Sequence, residues 1–325
     1  MATKHIFVVH GRSTKPVEEE KKRLVQTSLI AGLERVNSSA AQRVNEGKIK
    51  FTLIYYGDIT NRLMIKAQPQ LKERMVRVDG AWYEPEGSYD EHLADLIQRS
   101  TNKHSVEDYR ALLANIRDRQ YVDDLVRVFS PVARVVGLSD KAIRRMFPDL
   151  AAYLTSRVVG SEIRDRLQRS LRDALLKGDD VCLVSHSMGC MASYDVLWKF
   201  SRMSEYREIR DIKVPLWITL GNPLGEPWVK NNLYDSDEPE DGKYPANIGR
   251  WINISAHDDI VAHDGDIKDD FKEMIDRGWI AKDNIEDLPR IYNFWVGREG
   301  SNPHKLYGYL NHPDFAKKLA DWADS

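Results

Sequence analysis

The chain has 325 residues, enough to bury a substantial core in one large domain or two smaller ones. Charged residues make up 30% of it and hydrophobic residues 42%, a balance that excludes both a disordered chain and a membrane-embedded one. The 48 basic and 50 acidic side chains leave a formal net charge of -2, so no basic excess advertises nucleic acid and no such partner is expected.

From the N-terminus, Met1 to His5 pass at once into Ile6-Phe7-Val8-Val9, a run too short for a secretory signal and best read as a first strand. No apolar stretch approaches the roughly 20 residues that span a bilayer, and a cytoplasmic protein is expected. Further short apolar runs at 51–56, 181–184, 216–220, 251–254 and 291–296 have the character of buried parallel strands. Between them, 161–177 places Ile163, Leu167, Leu171 and Leu175 on one helical face, with Gly178 as a terminator. Strand alternating with helix predicts an α/β fold with a mostly parallel central sheet and flanking helices.

Residues 60–160 interrupt this rhythm and read as a helical insertion within one domain, 1–325. Tyr109, Leu112, Leu113 and Ile116, then Tyr121, Leu125, Val128 and Phe129, have helical spacing, with Pro131 and Pro148 as breaks. Such stripes are ordinarily core packing, although an apolar lid is the sharper alternative. The Asp-, Glu-, Pro- and Gly-rich stretch 225–249 reads as a surface loop. The two cysteines, Cys182 and Cys190, lie in or beside one strand-turn-helix segment and suit reduced core thiols.

That segment carries the strongest chemical signal. After the strand 181–184 comes Ser185-His186-Ser187-Met188-Gly189, and Ala192, Val196 and Leu197 begin an amphipathic helix. A serine at such a turn is pushed out of the sheet, and its neighbours two positions away must be small, as Ser185 and Gly189 are. The segment resembles the nucleophile elbow of the α/β-hydrolase superfamily, with Ser185 in place of the first glycine of G-x-S-x-G. The alternative is a buried turn serine that bonds only locally. Cys190 lacks the turn context of a nucleophile, and His186 is expected to pack beneath the turn.

The resemblance implies the chain order nucleophile, acid, base. Ser187 is the implied nucleophile. In Ser255-Ala256-His257-Asp258-Asp259-Ile260-Val261 it selects Asp259 as the acid, with Asp258 second. In the loop after the last strand it selects His304 as the base, with Leu306, Tyr307 and Tyr309 behind it; His312 is the alternative and is placed to cap the helix 313–322. The implied oxyanion donors are the backbone N–H groups of Met188 and of Arg12, the latter following His10-Gly11. The Arg12 side chain could instead report an anionic substrate.

The run His257, Asp258, Asp259, His263, Asp264 and Asp266 offers cation-ligand types. Lys268 and Asp269, however, occupy positions where a calcium loop needs Asp or Asn and then glycine, so no metal is expected. No phosphate-binding or dinucleotide fingerprint occurs, and no cofactor is expected. The resemblance implies a serine esterase or lipase-like hydrolase acting through an acyl-enzyme on a small-molecule or lipid ester. An acyltransferase, an amidase and a non-catalytic binding protein on the same fold are the alternatives.

Overall fold

In a computed structural model, which describes residues 2–100, 104–115, 147–262 and 265–325, six parallel strands form one sheet flanked by helices. In chain order these are β1 (Lys4–Val9) and β2 (Lys50–Ile54), then, after a separate hairpin of β3 (Val76–Val78) and β4 (Ala81–Tyr83), β5 (Asp180–His186), β6 (Val214–Leu220), β7 (Ile248–Ala256) and β8 (Ile285–Ile291). Alternate side chains serve opposite cores. Ile6, Val8, Cys182, Val184 and Ile218 pack under the helices Glu18–Val36 and Pro313–Asp324. Phe7, Val9, Leu183 and Trp217 pack under Arg157–Leu176 and Met188–Arg202. Because both faces are covered, the strands read as continuous apolar runs.

The spatial order is β2-β1-β5-β6-β7-β8. The chain adds β2 on one side of β1 and then returns to lay β5 on the other, so the order reverses between β1 and β5. Outside the carboxyl ends of two such strands a crevice opens. Their register pairs Val9 with Ser185, which brings Gly11 and Ser187, two residues further on, side by side. The α/β architecture is compatible with the hydrolase resemblance.

One expectation needs correction. The last strand of the sheet is Ile285–Ile291, not 291–296. It is an edge strand with a polar, Pro289-containing sequence, whereas Tyr292, Phe294 and Trp295 are apolar because they pack against Tyr109 and Tyr307. Within 60–160 the described residues include the β3–β4 hairpin, turned by Asp79 and Gly80 at φ 48° and 84°, besides helices. Pro148 opens the helix Pro148–Thr155, as a break in the helical pattern does.

Tyr109 sits on the helix Val106–Ala114 and is buried in the core against Phe294. Ile116, Tyr121, Leu125, Val128, Phe129 and Pro131, on which the lid alternative rests, lie outside the described residues. Among the described residues no helix is long and apolar enough to cross a membrane.

Candidate active site

Ser187 joins β5 to the helix Met188–Arg202 at φ 55° and ψ -126°, a region that L residues other than glycine rarely enter. The turn is held in place by its neighbours: the Ser187 N–H donates to the Leu220 carbonyl at 3.1 Å, and its own carbonyl accepts from the Cys190 N–H at 2.8 Å. Gly189 has no room for a side chain, since a Cβ there would lie 2.6 Å from the Val9 oxygen. Ser185 is accommodated because its hydroxyl accepts from Trp217 Nε1 at 3.0 Å and lies 2.7 Å from Ser193 Oγ, tying strand to neighbouring strand and to helix. Cys182 and Cys190 are free and fully buried, which pushes both thiols up and suits neither to nucleophilic work.

Three residues distant in sequence meet here. His304 Nε2 lies 2.9 Å from Ser187 Oγ, and His304 Nδ1 lies 2.9 and 2.8 Å from the two oxygens of Asp259. The Asp259 carboxylate also accepts from the Val261 N–H at 3.0 Å and the Tyr309 hydroxyl at 2.5 Å. Ser187, His304 and Asp259 are 3%, 8% and 2% exposed. With a carboxylate at Nδ1, the imidazole donates there and presents Nε2 as an acceptor to the serine. The sequence alternatives fall elsewhere. Asp258 is exposed and engages His257 and the Tyr109 hydroxyl. His312 caps the final helix by accepting the Asp314 N–H at 3.1 Å.

The loop after β1 is fixed by hydrogen bonds to several of its backbone groups. His10, fully buried and pushed well below its ordinary pKa by that burial, accepts the Tyr56 N–H at 3.1 Å through Nε2 and donates through Nδ1 to the Gly11 carbonyl at 2.8 Å. A trans peptide points its carbonyl and N–H in opposite directions, so this bond turns the Arg12 N–H away from His10. Among the described residues that N–H has no acceptor. The Lys15 ammonium gathers the carbonyls of Arg12, Ser13 at 3.0 Å and Thr14 at 3.1 Å, while Asp149 accepts the Ser13 N–H at 2.5 Å. Met188 opens its helix, so its N–H has no intrahelical partner. The Arg12 guanidinium is paired with buried Asp149 at 3.1 Å and lies 4.4 Å from the centre of the Phe147 ring. Its charge is thus already answered within the fold by Asp149.

Several contributors escape sequence reasoning. Asn293 Nδ2 donates to the carbonyls of Pro303 at 2.8 Å and Lys305 at 3.0 Å, bracketing His304. His186 packs beneath the turn as its sequence position implies, and beyond that it donates through Nε2 to the His304 carbonyl at 2.7 Å. Gly221, at φ 53°, comes so near that a Cβ would stand 2.9 Å from both Asp259 Oδ2 and His304 Nδ1. Tyr309, read only as a loop anchor, bonds the Asp259 carboxylate directly. The roles of Asn293, Gly221 and Tyr309 have no local motif, because each partner arrives from elsewhere in the chain.

Among the described residues no group of three or more His, Cys, Asp or Glu is arranged to hold a metal ion; His263 and Asp264 lie outside them. No family model matches the chain, and neither a curated protein nor a solved structure matches it.

Proposed function

We propose that the chain is a serine hydrolase with an α/β-hydrolase fold that cleaves a carboxylic ester through an acyl-enzyme. The observation that carries this reading is the unbroken hydrogen-bonded relay from Ser187 through His304 to Asp259, set beside the reversal of strand order. His304 Nε2 takes the hydroxyl proton as Ser187 Oγ attacks the ester carbonyl, and Asp259 stabilises the imidazolium formed. The carbonyl oxygen, now negative, is received by the N–H groups of Met188 and Arg12. His304 then protonates the departing alkoxide. Water, deprotonated by the same nitrogen, releases the acid and restores Ser187.

The reading is tested by a fluorophosphonate probe, with the modified peptide located by mass spectrometry, followed by a chain-length series of p-nitrophenyl esters. Modification of Ser187 together with ester turnover supports it; an unlabelled Ser187 in folded protein refutes it.

Gly11→Ala is expected to lower kcat about 10²- to 10³-fold, the usual cost of disturbing one oxyanion donor. The added Cβ would lie 2.8 Å from both Ser187 Cβ and His186 Nδ1, so the backbone before Arg12 must move. Steady-state kinetics beside circular dichroism separate this from unfolding. Asn293→Ala leaves two carbonyls around His304 without their donor and should cost about 1–3 kcal/mol of stability. Denaturant melts check that loss, and a fall in kcat at unchanged KM would accompany it if the His304 loop slackens.

A further inference from the structure

Three lysines gather beside the oxyanion loop and the His304 loop, and the hydrolytic steps use none of their charges. Lys15 is 9% exposed and Lys21 3% exposed. The Lys21 ammonium donates to the Tyr307 hydroxyl at 2.9 Å. Lys305, next in sequence to His304, lies 4.3, 5.7 and 5.6 Å from the ring centres of Tyr89, Trp295 and Tyr307. Among the described residues none of the three forms an ion pair. Glu84 is the carboxylate that acts on all three, and its oxygens are held by Thr14 Oγ1 at 2.5 Å and the Tyr89 hydroxyl at 2.8 Å. Asp149 also attracts Lys15 and Glu299 attracts Lys305, whereas Arg12 repels Lys15.

Burial lowers the pKa of each lysine, Lys15 to about 7, and the lysines repel one another. Around one shared carboxylate, with Lys15 and Lys21 buried and Lys305 partly exposed, the ammonium forms are held only at a cost. Charge held in that way is costly unless an opposite charge joins it, and perturbed groups of this kind concentrate where ligands bind.

We infer that the cluster of Lys15, Lys21, Glu84 and Lys305 binds an anionic oxygen group, a carboxylate or phosphoryl group, carried by the ester substrate. Lys21 and Lys305 supply the charge-assisted donors, and Lys15, engaged with the loop carbonyls, adds field. This rests on the serine-hydrolase reading, which it narrows to esters bearing a negative charge near the scissile bond.

The test compares kcat/KM for p-nitrophenyl butyrate with that for the p-nitrophenyl monoesters of succinate and of 3-phosphonopropionate, which separate carboxylate from phosphoryl recognition. A preference of about tenfold or more for one anionic ester is expected. It should fall about tenfold in Lys21→Met and in Lys305→Met and be partly kept in Lys305→Arg. Equal use of neutral and anionic esters by the wild-type protein, or an unchanged ratio in folded variants, overturns the inference while ester cleavage leaves the hydrolase reading standing. Binding is followed separately with inorganic phosphate against chloride at equal ionic strength. A rise in Tm that disappears in Lys21→Met supports the anion site even if Ser187 resists the probe, and no rise in the wild-type protein counts against it.

Discussion

Ser187→Ala should reduce ester turnover by about 10⁵- to 10⁶-fold and abolish fluorophosphonate labelling, the scale seen when the nucleophile of a comparable relay is removed. The change deletes one oxygen at a residue 3% exposed and opens little volume, so the fold should survive. His304 Nε2 loses its 2.9 Å partner, but its ring remains fixed by Asp259 and its backbone by Asn293 and His186. A near-native Tm with no labelling is therefore expected. Labelling of this variant at the wild-type rate would remove Ser187 from the chemistry.

Asp259→Asn should lower kcat/KM by about 10⁴-fold, while Asp258→Asn should change it less than about twofold. The asymmetry follows from the partners of the two carboxylates. Asp259 receives donors from His304, Val261 and Tyr309, so an amide NH₂ there must face at least one of them. If it faces His304 Nδ1, that nitrogen must become the acceptor, and the proton moves to Nε2, where it blocks removal of the serine proton. Asp258 is solvent-exposed and holds only His257 and Tyr109. Kinetics of the two variants on one neutral ester decide the matter, and equal losses would shift the role toward Asp258.

The parts of the fold and site that could be read in the sequence are those specified over a few consecutive residues. Ser187 was legible because its strand, its small neighbours and its following helix are contiguous. The buried strands β1, β5, β6 and β7 were legible because helices cover both faces and leave unbroken apolar runs. β8 was misplaced because an edge strand tolerates Glu286, Asp287, Pro289 and Arg290, so the stronger apolar signal came from aromatic residues packing just beyond it. The hairpin at Asp79-Gly80 had a turn signature, but it was hidden in an interval judged by its helical stripes. Lys15 and Asn293 had none: a lysine becomes a clamp on three carbonyls, and an asparagine a bracket around a histidine, only when the chain has returned to the same place.

The pairing of β1 with β5 also bears on how the molecule is made. Lys4 and Asp180, which open the two strands and are bonded at 2.8 Å, stand 176 positions apart, and Ser187 and His304 are separated by 117. Joining such remote segments carries a large loop-closure cost before any contact repays it, which places this topology among slow folders. Helical signal can return during refolding while the central sheet is still open between β1 and β5. The hydrogen bond between Ser187 and His304, in contrast, requires both strands to be seated and the segment carrying His304 to be docked. If the proposed hydrolase function holds, reactivity toward a fluorophosphonate is thus a clock for the closing of the sheet, set to a later event than any spectroscopic measure of helix.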